Sequence, residues 1–186
     1  LAEALADKGA QVTLVLGPSH YETFHRRVQT IKVESAEEMY QACAAVFSET
    51  EIAILSAAVA DYKPAAVASE KIKKQENALE LSLVKTTDIL ASLGKKKRKD
   101  QILVGFALET TNEEANARKK LKEKNADLIV LNSLKDEGAG FAHDTNKVTL
   151  VDASGALTSL PLQSKTDVAC AIVNYIVESR HVEKAI

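Results

Sequence analysis

Cysteine is nearly absent: the 186 residues hold only Cys43 and Cys170, far apart, with no CxxC and no Cys/His spacing. That excludes a disulfide framework and a structural zinc site, and it fits a reducing, cytoplasmic setting. Both cysteines sit in apolar helical patterns (MYQACAAVF and DVACAIV) and read as small core residues. Histidine is equally sparse. His20, His25, His143 and His181 form no i,i+4 pair and no HExxH, so they read as surface residues. There is no nucleophile elbow, Walker motif, GxGxxG, internal repeat or low-complexity tract. No apolar run approaches the roughly 18 residues of a spanning helix, so no membrane is expected. Charge is balanced: 24 Lys+Arg against 26 Asp+Glu leave a net charge of −2. No global field draws the chain to nucleic acid or to a membrane surface. The opening LAEALADKGA lacks the charged start and cleavage site of a signal peptide. It reads as the middle of a helix, and with no Met at its head the sequence is expected to continue upstream.

What is present is ordinary globular material, 46% apolar and 27% charged, which excludes intrinsic disorder. The length fits one domain, residues 1–186, with a sizeable core. Gly9 ends a first helix. Strands are expected at VTLVL (12–16), 31–33, EIAILSA (51–57), 79–84, ILVGFAL (102–108) and DLIVL (127–131). Helices are expected from the capping box at Ser35 to Phe47, at 88–93, at 112–124, and from the Ser164/Asp167 cap to about Ser179. A long loop is expected over residues 61–77. A hairpin at 148–151 and 157–160 turns around Ala153-Ser154-Gly155. Apolar strands alternating with helices predict an α/β fold: a doubly wound, Rossmann-like, mostly parallel sheet with helices on both faces. The late hairpin adds a small antiparallel C-terminal flap. Ligands in such sheets sit beyond the carboxyl ends of the strands.

Three segments there can carry chemistry. In SAAVADYKP (56–64), small residues leave the sheet and admit close approach, and Asp61 follows; a turn or helix-cap aspartate explains Asp61 equally well. EKIKK (70–74) places three lysines in a loop, able to meet phosphate or merely to face solvent. In VGFALET, Phe106 can stack on a flat base or be an ordinary core residue. On the following helix Lys120 and Lys124 share one face, while Arg118 and Lys119 point elsewhere. The basic run 95–99 lies at the opposite edge and reads as a solvated face.

SAAVADYKP, EKIKK, TDIL, VGFALET, KNADLIVLN and DTNKV, in this order and at these intervals, resemble bacterial phosphopantothenoylcysteine synthetases. The resemblance spans residues 1–177. It implies a CTP-dependent ligase of coenzyme A biosynthesis that joins 4′-phosphopantothenate to L-cysteine through an acyl-cytidylate, releasing pyrophosphate and then CMP. Such enzymes often form the carboxyl-terminal half of a bifunctional protein, and FMN would belong only to a fused decarboxylase half outside this chain. The resemblance further implies a cytoplasmic homodimer, with the strands after Thr145 pairing across the two-fold. Magnesium is expected on the triphosphate rather than in a protein cage.

Carried over by position, the resemblance makes Lys71 the essential lysine of a loop that closes over the triphosphate. Ala57 and Ala58 lie against the intermediate, and Asp61 contacts the nucleotide. Thr87, Asp88, Ile89 and Leu90 line it with main-chain N–H groups at a helix start. Phe106 stands by the cytosine, and Lys120 and Lys124 bind the nucleotide. The family opens with a strand and a loop resembling NxSSGxMG that binds the phosphopantothenate phosphate, and this chain begins just after that point. Two readings of other kinds stay open: a Rossmann-type NAD(P) oxidoreductase, for which no Tyr-x-x-x-Lys is present, and a catalytically silent nucleotide-binding or dimerisation module.

Overall fold

The structure is a computed structural model that describes residues 1–68, 70–71, 80–133 and 144–184. The first third runs α1 (Ala2–Asp7), β1 (Val12–Leu16), β2 (Val28–Lys32), α2 (Ala36–Phe47) and β3 (Ile52–Leu55). The middle runs β4 (Tyr62–Pro64), β5 (Leu83–Lys85), α3 (Ile89–Lys96), β6 (Ile102–Glu109), α4 (Glu113–Glu123) and β7 (Leu128–Ser133). The last part runs β8 (Thr145–Asn146), β9 (Val148–Asp152), β10 (Leu157–Ser159), β11 (Gln163–Ser164) and α5 (Lys165–Lys184).

Local chemistry sets several of these boundaries. Gly9, at φ 97°, closes α1 in a conformation that costs other residues energy. Ser35 accepts the Glu38 N–H at 3.2 Å, and the Glu38 carboxylate accepts the Glu34 N–H at 2.8 Å. That is a capping box whose return bond lands one residue upstream of the cap. Ser164 likewise accepts the Asp167 N–H at 3.1 Å and opens α5.

The main sheet has five strands in the order β10-β9-β7-β6-β3. β3, β6 and β7 run parallel, and β9 joins β7 antiparallel. The late antiparallel hairpin therefore continues this sheet at its edge. A separate parallel ladder joins β1 and β2, and β4 pairs with β5 antiparallel. Among the described strands β1 and β3 share no ladder. Instead α2 bridges them. Its Met39 reaches Gly17, just after β1, and Met39, Tyr40 and Cys43 pack with Ala53 and Leu55 of β3.

Alternating side chains of β6 and β7 feed two cores, as the two-residue period requires. One face sends Val104, Leu128 and Val130 against Val168, Ile172 and Ile176 of α5. The other sends Ala107, Ile129 and Leu131 against Ala117 and Leu121 of α4. Leu103 joins Phe47, Ile89 and Leu93 in a third cluster under α2 and α3. Each large apolar side chain so buried contributes about 1.5–3 kcal/mol of transfer free energy. Burial on both faces explains why these strands read as unbroken apolar runs.

Several sequence expectations are revised: the strand expected at 31–33 runs Val28–Lys32, and of the strand expected at 79–84 residues 80–82 are irregular and the strand is Leu83–Lys85. The loop from Asp61 contains β4, which pairs with a strand some twenty residues later. Lys97, in the basic run read as solvated, is only 10% exposed and pairs with Asp127 at 2.6 Å. Cys170 is exposed, lying off the α5 stripe that buries Val168, Ile172 and Ile176, whereas Cys43 is partly buried. Burial raises the Cys43 thiol above its ordinary value. Among the described residues, no helix is long and apolar enough to cross a membrane.

Candidate active site

The carboxyl ends of the parallel strands are where the predicted residues are to be sought. β3 ends at Leu55, and Ala57 and Ala58 follow it, both exposed. Val59 then packs into the cluster beneath α2 and α3, so the segment is anchored while its alanines stay open. Next comes Asp61, also exposed. Its carbonyl accepts the Thr86 N–H at 2.9 Å, and the Ala60 carbonyl accepts the Thr86 hydroxyl at 2.6 Å. These two bonds close the base of the β4–β5 hairpin. They bring the turn after β3 beside Thr87 and Asp88, which lie some thirty residues away in sequence. Lys71 lies in the connection between β4 and β5 and is exposed. The rest of the EKIKK motif, residues 72–74, lies outside the described residues.

Asp88 is the N-cap of α3. Its Oδ1 accepts the Ala91 N–H at 2.8 Å, and its Oδ2 accepts from the Lys124 ammonium at 2.7 Å. Burial pushes the Asp88 carboxyl up, but the bonds from Lys124 and Ala91 and the charge of Lys120 outweigh it and hold it below the ordinary 3.8. Ile89 is buried, and Leu90 is half-buried with its side chain packed inward. These two side chains anchor α3, so what this turn offers a ligand is main chain. A Cβ on Gly105 of β6 would stand 2.6 Å from Leu90, and the glycine is what lets α3 seat directly on the strand.

Asn116, Lys120 and Lys124 fall on one face of α4 at spacings of four. Lys120 lies 4.0 Å from the Glu109 carboxylate at the end of β6. Asn116 donates to the other Glu109 oxygen at 3.0 Å. The structure thus gathers Thr87, Asp88, Lys120 and Lys124 in one region, with Asp61 held beside Thr87. Phe106 is half-buried and packs toward α5, on the opposite sheet face from Lys120 and Lys124. The two other basic residues, Arg118 and Lys119, do point elsewhere. Lys119 meets Glu123 at 3.8 Å, and Arg118 lies against Gly155 of the β9–β10 turn.

Sequence reasoning missed Glu109 and Asn116. Glu109 was in plain view in VGFALET, and Asn116 extends the Lys120/Lys124 spacing by one turn. It also missed that Asn132, at the end of β7, accepts from Asn146 at 3.0 Å. That bond joins the KNADLIVLN and DTNKV motifs in space. No group of three or more His, Cys, Asp or Glu able to hold a metal occurs among the described residues.

Fold and side chains together define an α/β protein with a charged row, carboxylates alternating with lysines, along helices α3 and α4. Comparison with known proteins makes that class specific. The chain belongs to the family described as the DNA/pantothenate metabolism flavoprotein C-terminal domain, whose profile matches residues 1–179. It is 47% identical over 176 residues to the coenzyme A biosynthesis bifunctional protein CoaBC of Bacillus subtilis (strain 168), covering 95% of this chain and 43% of that protein. It is 49% identical over 181 residues to a protein of an unknown prokaryotic organism named cysteine/cysteine sulfinic acid decarboxylase, covering 97% of this chain and 50% of that one. The chain therefore spans about half the length of these curated relatives. A crystal structure of the C-terminal domain of a CoaBC protein superposes with a TM-score of 0.79 at 36% identity, covering 100% of this chain and 81% of that one.

Proposed function

We propose that this chain carries the phosphopantothenate–cysteine ligase activity of coenzyme A biosynthesis, with CTP as the activating nucleotide. What supports the reading is the gathering of Thr87, Asp88, Lys120 and Lys124 in a member of this family. The resemblance assigns all four to the nucleotide.

The chemistry asks little covalent work of the protein. A carboxylate oxygen of 4′-phosphopantothenate attacks the α-phosphorus of CTP. The α–β phosphoanhydride bond breaks and pyrophosphate leaves. The cysteine amine then attacks the acyl carbon, the acyl–phosphate bond breaks, CMP leaves, and the amine proton passes to solvent or to a product phosphate. The obstacle in the first step is repulsion between a carboxylate and a triphosphate. Fixed cations reduce it, and they act most strongly where charge develops. Lys120 and Lys124 supply such charge from the α4 face. Lys71 supplies it from the β4–β5 connection, as the catalytic lysine of the site. Ala57 and Ala58 give the intermediate a smooth main-chain bed beside Asp61. The main chain of residues 87–90 faces the nucleotide, whereas Phe106, which the resemblance assigns to the cytosine, packs toward α5 on the other sheet face and is left out of this arrangement. Magnesium enters with the triphosphate and neutralises it further.

The domain is read as a single unit, and its partner as a second copy of the chain. The β10 edge, unpaired on its outer side among the described strands, supports the latter. Sedimentation that shows a monomer at micromolar concentration contradicts the dimer.

The test is pyrophosphate release from CTP that depends on 4′-phosphopantothenate, followed by CMP release that depends on cysteine. Carbon dioxide released from cysteine without nucleotide supports a decarboxylase instead. Binding of a nicotinamide cofactor without CTP supports an oxidoreductase.

A further inference from the structure

We propose that Glu109 is a positioning residue of the nucleotide site, acting through Lys120 and held in place by Asn116. The inference rests on the nucleotide reading above and adds to it a residue that the family resemblance did not supply. Glu109 closes β6, the strand that lies between β3 and β7 in the sheet. Its side chain is 21% exposed, so the carboxylate is screened from water on most sides. One oxygen accepts the Asn116 amide at 3.0 Å, and the same amide nitrogen also donates to the Thr111 carbonyl at 3.0 Å. Asn116 therefore ties the carboxylate to the turn that starts α4. The other oxygen stands 4.0 Å from Lys120, an ion-pair distance rather than a tight hydrogen bond. The lysine is thus aimed without being locked.

An acid beside an anion site is costly unless it does something else. Glu109 repels a triphosphate as surely as Lys120 attracts it. Its benefit must come from ordering Lys120, a side chain with four rotatable bonds that otherwise samples many positions. Lys120 then adds its field at Asp88, where its charge helps hold the carboxyl ionised. Lys124 is ordered separately by Asp88 itself. Each lysine of the α4 face so has its own carboxylate guide, one from β6 and one from α3.

The two effects of Glu109 have opposite signs, which makes the idea testable. Calorimetric titration with CTP and magnesium is run on the unsubstituted chain, Glu109→Gln, Lys120→Ala and the double variant. Positioning predicts that Glu109→Gln binds CTP about threefold to tenfold more weakly, the size of coupling between contacting residues. It also predicts no further loss when Glu109→Gln is added to Lys120→Ala, and no change in thermal midpoint large enough to explain the loss. Tighter binding by Glu109→Gln, as charge removal alone would give, overturns the inference. So does a loss that is fully additive with Lys120→Ala, since a general structural defect would behave that way. Asn116→Ala loosens the same carboxylate from its other side, and its loss must also vanish in the Lys120→Ala background. It serves in place of Glu109→Gln should that variant not fold. Failure of the unsubstituted chain to bind CTP removes the nucleotide reading itself, and this inference with it. Intact binding with an unchanged Glu109→Gln removes only the inference.

Discussion

Gly94 of α3 and Lys124 at the end of α4 meet main chain to main chain: a Cβ on residue 94 would stand 1.8 Å from the Lys124 carbonyl oxygen. The Asn125 amide adds a bond to the Gly94 carbonyl at 2.8 Å, from a residue at φ 49°. With its main chain pinned there, Lys124 extends its side chain along α3 to Asp88 in the first turn, 2.7 Å away. The contact sets the spacing of two helices and the reach of one candidate nucleotide lysine together.

Gly94→Ala is expected to destabilise the protein. In a free helix the change would stabilise by about 1 kcal/mol. Here overpacking against main chain opposes it, at about 1–3 kcal/mol, because neither partner can rotate away. Urea denaturation gives the sign, and a stabilised variant contradicts the close contact.

Asp88 links stability to pH. Its carboxyl is held below 3.8 in the folded protein, so its stabilising contribution is present above that value. The contribution is lost as pH falls through the lower, folded value. Asp88→Asn keeps a good cap and loses the charge, and with an acid about half exposed the cost is small, about 0.5 kcal/mol. Denaturation at about pH 6 and again near pH 2 checks this: the two proteins differ at the first and converge at the second. Asp88→Ala removes the cap as well and costs about 1 kcal/mol more at both.

Asp127→Ala is expected to be the most damaging single change outside the apolar core. One carboxylate oxygen accepts the Leu103 N–H at 2.7 Å, and the other meets the largely buried Lys97 at 2.6 Å. Removing the acid leaves the Leu103 N–H without its acceptor and Lys97 without its partner, and with Asp127 itself 35% exposed the loss is about 1–3 kcal/mol. Thermal unfolding measures it, and a loss under 1 kcal/mol contradicts the pairing.

Substitution is expected to separate Lys97 from Lys71, the proposed catalytic lysine. Lys97→Gln lowers the unfolding midpoint and leaves pyrophosphate release per folded molecule near normal. Lys71→Gln leaves the midpoint alone and lowers pyrophosphate release by about a hundredfold or more, the scale of one lost charge-stabilising group. Equal effects on release contradict the assignment of Lys71.

Much of this was legible in the sequence where a local rule decides. β1 fell on its expected bounds because VTLVL is a nearly unbroken apolar run, and α2 because the Ser35 capping box opens it. What was not legible depends on partners distant in the chain. Tyr62-Lys63-Pro64 is short and wholly exposed, and it becomes a strand only by pairing with Leu83–Lys85. Lys97 looked like one more surface lysine because Asp127, its partner, lies thirty residues on. The site shows the same division. Lys120 and Lys124 could be placed on one helix face by spacing alone. That their guides are Glu109 and Asp88 required β6 and α3 to be seen beside α4.

This face of the sheet is proposed to bind a cytidine nucleotide. Calorimetric titration of the chain with CTP and with ATP, each with magnesium, tests it most directly. CTP is expected to bind, ATP to bind much more weakly, and Lys120→Ala and Lys124→Ala each to weaken CTP. A folded chain that ignores CTP, or that binds both nucleotides equally and is indifferent to those two lysines, contradicts it.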